Sequence, residues 1–375
     1  MVRQLKILLF NWRCPKHPQA GGAEKATYEI TKRWASWGHE VRWMSASFKG
    51  AQEHDDVDGV EVTRIGGKYS LYAKLALYYS KQLKAKYDVI VDEINTIPFF
   101  TPLYAKEPYV AFIHQFAANV LFEELPWMQA KSWSFMEPFA LRLYGNAPII
   151  TSQGTKLDLL NIGIPEKNIH VIDYGVDRSI YRKGKKSLYP HVLYLGRLKR
   201  FKGVHLLIDA MKQVVKQIPD AKLSIVGNGD PIYENELRRL TTKLKLENNV
   251  AFHELGFQGS VLEKAQLMQE AWVLAYPSSR EGFGLAVAEA NACGTPTVAT
   301  DVPGLRETVK NYETGILVPR NCDSIAKSVI HLLTNDELRA RMSERACEWS
   351  LQFDWDTTAQ KMLQILKDAT CFAAD

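Results

Sequence analysis

The five residues Tyr109–Ile113, YVAFI, offer no polar face to water. A strand of that kind needs cover on both sides, which a parallel sheet wrapped in helices provides and a half-solvated antiparallel sheet does not. The same condition recurs along the chain. Leu5–Phe10, Val41–Ala46, Val60–Ile65, Asp88–Asp92, Tyr109–His114 and Ile149–Ser152 read as strands. They alternate with amphipathic stretches such as Ala23–Trp37, where Tyr28, Ile30, Trp34 and Trp37 are among the apolar positions. The pattern then starts afresh, with strands expected at His191–Leu195, Lys222–Val226, Val250–Phe252, Trp272–Tyr276, Thr297–Thr300 and Gly315–Val318. Helices are expected between them over 203–217, 231–245, 260–270, 284–293 and 323–333. Two βαβ series predict two doubly wound α/β domains. Their boundary is expected over 177–190, where DRSIYRKGKKSLYP interrupts the strand pattern. The last 40 residues read as helical with a break around Phe353–Asp356, Asp354 or Asp356 capping the final helix.

Composition narrows the function classes. A chain of 375 residues has room for two cores, and 47 basic against 42 acidic side chains leave no strong basic excess for nucleic acid. Cys14, Cys293, Cys322, Cys347 and Cys371 are scattered without a CxxC pair, which argues against a disulfide framework or zinc site and for a reducing compartment. Ile7–Phe10 is too short an apolar core for a signal peptide, and no run approaches the roughly 20 apolar residues of a membrane span. The expectation is a cytoplasmic chain.

In open α/β sheets ligands collect beyond the carboxyl ends of the strands, so the segments after each strand carry the candidates. After the first, Gly21 and Gly22 precede a helix whose start presents free N–H groups to an anion. The segment is neither GxGxxG nor GxxxxGK[ST], which counts against a dehydrogenase or a P-loop protein. GRLKRFKG, residues 196–203, crowds Arg197, Lys199, Arg200 and Lys202 into one short loop; a diphosphate is the expected guest, Arg197 forking to two oxygens and Lys202 acting as a point charge. Asn228 sits in a glycine turn, GNGD, where backbone approaches a ligand or another loop. After Trp272–Tyr276 comes PSSREGFG, with Glu281 at the strand end, Gly282, Phe283 and Gly284 before the helix that opens at Leu285, and Glu289 about two turns into it. Both oxygens of a carboxylate accept, so Glu289 suits a diol such as ribose. By spacing alone, two glutamates on a surface helix explain the pattern at least as well.

The run EGFGLxxxE matches the E-x7-E motif and resembles the retaining glycosyltransferases of family 4, which have the two-domain GT-B fold. The resemblance extends over nearly the whole chain, through GGAE at 21–24, YGVD at 174–177, GRLKRFKG at 196–203, VGNGD at 226–230, PSSREGFGLAVAEA at 277–290 and GTPTVATDVPGLRE at 294–307. It implies two Rossmann-like domains facing across a cleft: an acceptor-binding domain over 1–180, a nucleotide-sugar-binding domain over 181–350, and a helix over 351–375 docking on the first. It assigns the donor diphosphate to Arg197 and Lys202, with Gly22 approaching from the other domain and Asn228 beside them. Glu289 takes the ribose, Glu281 the donor sugar, and the backbone from Gly282 to Leu285 sugar and phosphate. His114 lies near the transferred sugar. No cofactor or metal is expected, the basic loop replacing a divalent ion. VAFHELGF at 250–257 departs from the family's shorter V-x-F-x-G run where the base is seated.

The resemblance implies a nucleoside-diphosphate sugar as donor and a saccharide or lipid-linked saccharide as acceptor. A catalytically inactive nucleotide-sugar-binding protein is the alternative, against which Glu281 and His114 count. Residues 68–86 hold five lysines, no acid and four interleaved tyrosines, a composition that suits peripheral contact with an anionic membrane or an amphipathic helix covering the sheet. Residues 121–139, with two Trp, two Met and three Phe, suit stacking on an acceptor sugar or lipid, or packing of the domain.

Overall fold

A computed structural model describes residues 4–253 and 261–372. The chain forms two compact units: Met1–Leu121 with Pro126–Gly175 and Trp355–Asp375, and Phe122–Leu125 with Val176–Asp354.

The first unit carries an eight-stranded sheet: β1 (Lys6–Phe10), β2 (Glu40–Ser45), β3 (His54–Val57), β4 (Val60–Arg64), β5 (Val89–Ile94), β6 (Tyr109–Ile113), β7 (Ile149–Thr151) and β8 (Ile169–Val171), in the order β3-β4-β2-β1-β5-β6-β7-β8. Every pairing is parallel except β3 with β4. The strand order reverses between β1 and β5, so the crevice beyond their carboxyl ends is the natural ligand position. β3 and β8 were not expected: HDDV has no apolar run, and three residues of β8 are too few for a periodic signal. β5 runs on to Ile94 instead of stopping at Asp92, and its burial is complete along its length. Two successive acids look like a strand's end, yet here Asp92 and Glu93 stay inside it.

Both faces of this sheet are covered. On one, Leu8, Phe10, Met44 and Ile90 pack with Leu71, Leu75, Tyr79 and Leu83, and farther along the same face Ala111, Ile113 and Ile149 pack with Leu141, Tyr144 and Leu159. On the other, Ile7, Leu9, Val91 and Val110 are buried, with the helices Gly22–Ser36 and Trp355–Phe372 against β2, β5 and β6. The basic aromatic stretch is thus an amphipathic helix over the sheet. Leu71–Tyr78 is α-helical, one π turn follows at Tyr79–Leu83, and Lys68, Lys74, Lys81, Lys84 and Lys86 are exposed. The last helix, Trp355–Phe372, packs on Gly22–Ser36: Trp34 Nε1 donates to the Ala359 carbonyl at 2.9 Å and Arg33 Nε meets Asp356 at 2.5 Å. Asp356 is therefore in the first turn, spent on Arg33.

The second unit has six parallel strands, β9 (His191–Leu195), β10 (Lys222–Val226), β11 (Val250–His253), β12 (Val273–Tyr276), β13 (Thr297–Thr300) and β14 (Gly315–Val318), in the order β11-β10-β9-β12-β13-β14. Here the order reverses between β9 and β12. The loops that leave those two strands, 196–203 and 277–284, are the two richest in candidate residues. Half of the expected departure at 250–257 forms β11, and the other half, 254–257, lies outside the described residues.

Candidate active site

In the second unit the two loops are bound to each other by backbone. Ser279 N donates to the Phe201 carbonyl at 2.7 Å, and a Cβ on Gly203 would stand 2.2 Å from the Pro277 carbonyl oxygen. Gly203 has φ +71, so any side chain there meets both strain and a clash. The glycine turn after β10 joins from the other side. Leu198 N donates to the Asn228 carbonyl at 2.9 Å, and a Cβ on Gly227, at φ +138, would lie 2.0 Å from the Gly196 carbonyl oxygen. GNGD is therefore glycine-rich because another loop touches it. Asn228 itself is exposed.

This clamping brings Lys202 and Glu281 together from positions 79 apart, with Nζ 2.5 Å from Oε1 and side chains 9% and 10% exposed. Burial pulls the Lys202 ammonium below its usual pKa, and Glu281 opposes that shift. The rings of Phe201 and Tyr276 lie 5.0 and 5.4 Å from Nζ. An ammonium has three donors, and among the described residues only Glu281 takes one. Arg197, on the same loop, is exposed, and its guanidinium has no hydrogen bond or ion pair with a described residue. The other two cations are engaged elsewhere. Lys199 meets Glu124 at 3.2 Å, and Arg200 pairs with Glu236 and covers the Tyr233 ring.

The helix Leu285–Ala292 starts directly after this pair, capped by Gly284, so its first N–H groups face the same loop region. Phe283 points the other way: it is buried edge-on against Phe353, ring centroids 5.4 Å apart, so only its backbone is placed for a ligand. Glu289 is 6% exposed within that helix. Tyr194 and Tyr276 stack beneath the site, and the Tyr194 hydroxyl donates to the Arg197 carbonyl at 2.9 Å. Burial drives both phenols far above their ordinary pKa, Glu281 adding to the effect, so both stay neutral donors.

Gly22 and His114 belong to the first unit. Gly22 opens its helix exposed, and a Cβ there would meet nothing within 4 Å. The fold has no packing reason for glycine at that point. One residue back, the Gly21 N–H donates to Glu24 at 2.6 Å. His114 follows β6 and is 6% exposed. Its Nε2 lies 2.7 Å from Glu93 Oε1 and its Nδ1 2.5 Å from the Tyr174 hydroxyl. The two contacts hold the ring at both nitrogens and so fix its orientation. Burial raises the Glu93 carboxyl above its normal pKa; His114 and Thr27 act against this, and Glu24 reinforces it. Tyr174 in turn stacks on Trp355, centroids 6.2 Å apart. Glu93, Tyr174 and Glu24 were not assigned roles from the sequence. The available signal was an acid pair inside the apolar run VIVDEI: charged residues are rarely buried unless partnered.

Among the described residues no group of three or more His, Cys, Asp or Glu side chains is placed to hold a metal ion, and no helix is long and apolar enough to cross a membrane.

Two family models match the chain, Glycosyltransferase Family 4 over residues 20–180 and Glycosyl transferases group 1 over residues 177–349. An uncharacterized glycosyltransferase from Methanocaldococcus jannaschii is 28% identical over 97% of this chain and 98% of that protein. A D-inositol 3-phosphate glycosyltransferase from Corynebacterium glutamicum is 32% identical, but the match spans only 56% of this chain and 52% of that protein. Among solved structures, sucrose-phosphate synthase from Thermosynechococcus elongatus superposes with a TM-score of 0.81 at 22% identity, covering 100% of both chains. HepE from Anabaena, solved with UDP and glucose, gives 0.77 at 24% identity, covering 97% of this chain and 100% of that one. With the two models accounting for residues 20–349 and both parallel sheets matching GT-B structures, the chain belongs to the family 4 type of glycosyltransferases.

Proposed function

We propose that this transferase moves a hexose-type sugar from a nucleoside-diphosphate sugar to a hydroxyl of a saccharide or lipid-linked saccharide, with retention of anomeric configuration and without a divalent ion. The observation that carries the reading is the Lys202–Glu281 pair at 2.5 Å, a buried ammonium with two donors unspent beside an exposed Arg197. A buried charge needs its hydrogen bonds met, and a diphosphate supplies oxygens where one carboxylate cannot. In this reading the incoming donor takes Lys202 from Glu281. The departing diphosphate is stabilised by Lys202, Arg197 and the N–H groups at the start of Leu285–Ala292, all preorganised before reaction. Glu281, released from the ammonium, accepts from sugar hydroxyls and stabilises positive charge at the anomeric carbon. Glu289 accepts from the ribose.

His114 contributes next to the transferred sugar only through a ring held at both nitrogens. Its role is that of a fixed dipole, or it must release Tyr174 as substrate arrives. Gly22, without a packing role in its own unit, leaves the start of its helix open to a phosphate. The leaving phosphate takes the acceptor proton on the face it departs from, which gives retention.

HepE was solved with UDP-glucose, so UDP and UDP-glucose are the first ligands to try, with GDP and ADP beside them. Calorimetric titration of the purified chain, with and without EDTA, tests the proposal. One nucleotide bound in preference, equally tightly with EDTA, is the expected result. Binding that vanishes with EDTA contradicts the metal-free reading, and no binding to any nucleotide or nucleotide sugar contradicts the donor site.

A further inference from the structure

The helix Trp127–Arg142 is turned inside out. A surface helix ordinarily buries its large apolar side chains and exposes its polar ones. Here the residues buried are Ala130, Glu137, Ala140 and Leu141, while Trp127 is 63% exposed, Met128 75%, Phe135 71%, Met136 49% and Phe139 53%. At 3.6 residues per turn, Met128, Phe135 and Phe139 fall along one line, with Trp127 and Met136 on its two flanks. The exposed apolar side chains therefore form one continuous face of the helix.

The charges on the helix are as one-sided as its apolar face. Lys131 lies over the Trp127 ring at 4.6 Å, and Arg142 lies over the Phe139 ring at 5.4 Å while its Nε donates to the Ile162 carbonyl at 2.6 Å, so Lys131 stands within that face and Arg142 borders it. Glu137 is the only acid between Trp127 and Arg142, and it is buried, accepting from the Ala117 N–H at 2.7 Å. An exposed face of Trp, Phe and Met with cations and no anion is complementary to a surface that is apolar below and negative above.

We infer that this helix face docks the first unit onto an anionic lipid bilayer, the rings and methionines entering the acyl boundary while Lys131 and Arg142 meet headgroup phosphates. A second copy of the chain fits less well, because a twofold contact through this face would set its two cations against their own copies with no acid to pair them. A soluble saccharide stacks on one or two rings and has no use for so broad an apolar face. The inference goes beyond the transferase reading and does not depend on it. Residues 68–86 are a separate basic surface that buries its own apolar stripe, so its lysines add charge but offer no comparable insertion.

The test is flotation of the full chain with phosphatidylcholine vesicles that contain or lack phosphatidylglycerol. The expected result is binding to the anionic vesicles about tenfold or more above the neutral ones, weakening with salt. A Met128→Glu/Phe135→Glu double variant, altered only at exposed positions, should lose that binding while its circular dichroism and nucleotide titration stay as in the parent. A Lys131→Glu/Arg142→Glu variant should fall to the neutral-vesicle level. No flotation, flotation unaffected by Met128→Glu/Phe135→Glu, or equal binding to neutral vesicles would each overturn the inference. So would a parent that is dimeric by light scattering and becomes monomeric in that variant, which would assign the face to a second copy.

Discussion

His114 and Lys202 each follow a strand at the carboxyl edge of their own sheet, and each is buried against a glutamate, but the two environments are opposite in kind. His114 is saturated: Glu93 holds one ring nitrogen and Tyr174 the other. Lys202 has one carboxylate for three donors, and the guanidinium of Arg197 stands open on the same loop. The first arrangement is complete without a ligand and fixes a ring in place. The second is a charge pair that a ligand can take over. A buried polar group with all its partners rigidifies a unit, whereas one with unmet donors marks where something else binds.

The largest effects should come from breaking the unfinished side. Lys202→Ala and Glu281→Ala are each expected to cut transfer by about 10²–10³-fold, the scale of losing one preorganised electrostatic contact. Steady-state rates with the bound nucleotide sugar check this, with circular dichroism confirming the fold. Near-parent rates in both variants would remove the site assignment.

Breaking the finished side should show coupling. His114→Ala is expected to lower kcat by about 10²-fold, and Glu93→Leu to approach that loss by unfixing the ring. The double variant should be no worse than His114→Ala, and Glu93→Gln, which keeps an acceptor for Nε2–H, should recover most of the activity. Additive losses would mean that Glu93 acts apart from His114.

A third, smaller effect separates two histidines. His114 has a carboxylate, whereas the buried His191 of the second unit has the Ser224 hydroxyl at 2.9 Å, and burial pushes its pKa down to about 4. The unfolded chain takes up that proton near pH 6.5 and the folded chain only near 4. Stability is therefore present above about 6.5 and lost as the pH falls through this window, by at most about 3 kcal/mol. Urea unfolding across the window should show the slope in the parent and a shallower one in His191→Gln. An unchanged slope would place the titration elsewhere.

The same contrast explains what could be read in the chain. The second-unit residues sit in short loops whose glycines and cations are adjacent in sequence, so GRLKRFKG and EGFG each displayed their chemistry locally. What the sequence concealed was their pairing, which depends on Gly203 letting the loop touch Pro277. In the first unit His114 was visible as the end of an apolar strand, but its partners lie 21 and 60 residues away and meet only through the β5–β6 pairing and the packing of Tyr174. β3 was missed because HDDV pairs by its hairpin with β4 and not by hydrophobic pattern. Phe283 shows the converse: a motif residue marked for the donor whose side chain serves the core.

The measurement closest to the central claim is the affinity for the nucleotide and its sugar, compared by calorimetry in the parent, Lys202→Ala and Glu281→Gln. If the donor diphosphate displaces Glu281 from Lys202, Lys202→Ala should abolish binding. Glu281→Gln, which removes the competing charge, should bind the bare nucleotide at least as tightly as the parent while losing preference for the sugar. Parent-like binding by Lys202→Ala would contradict the account.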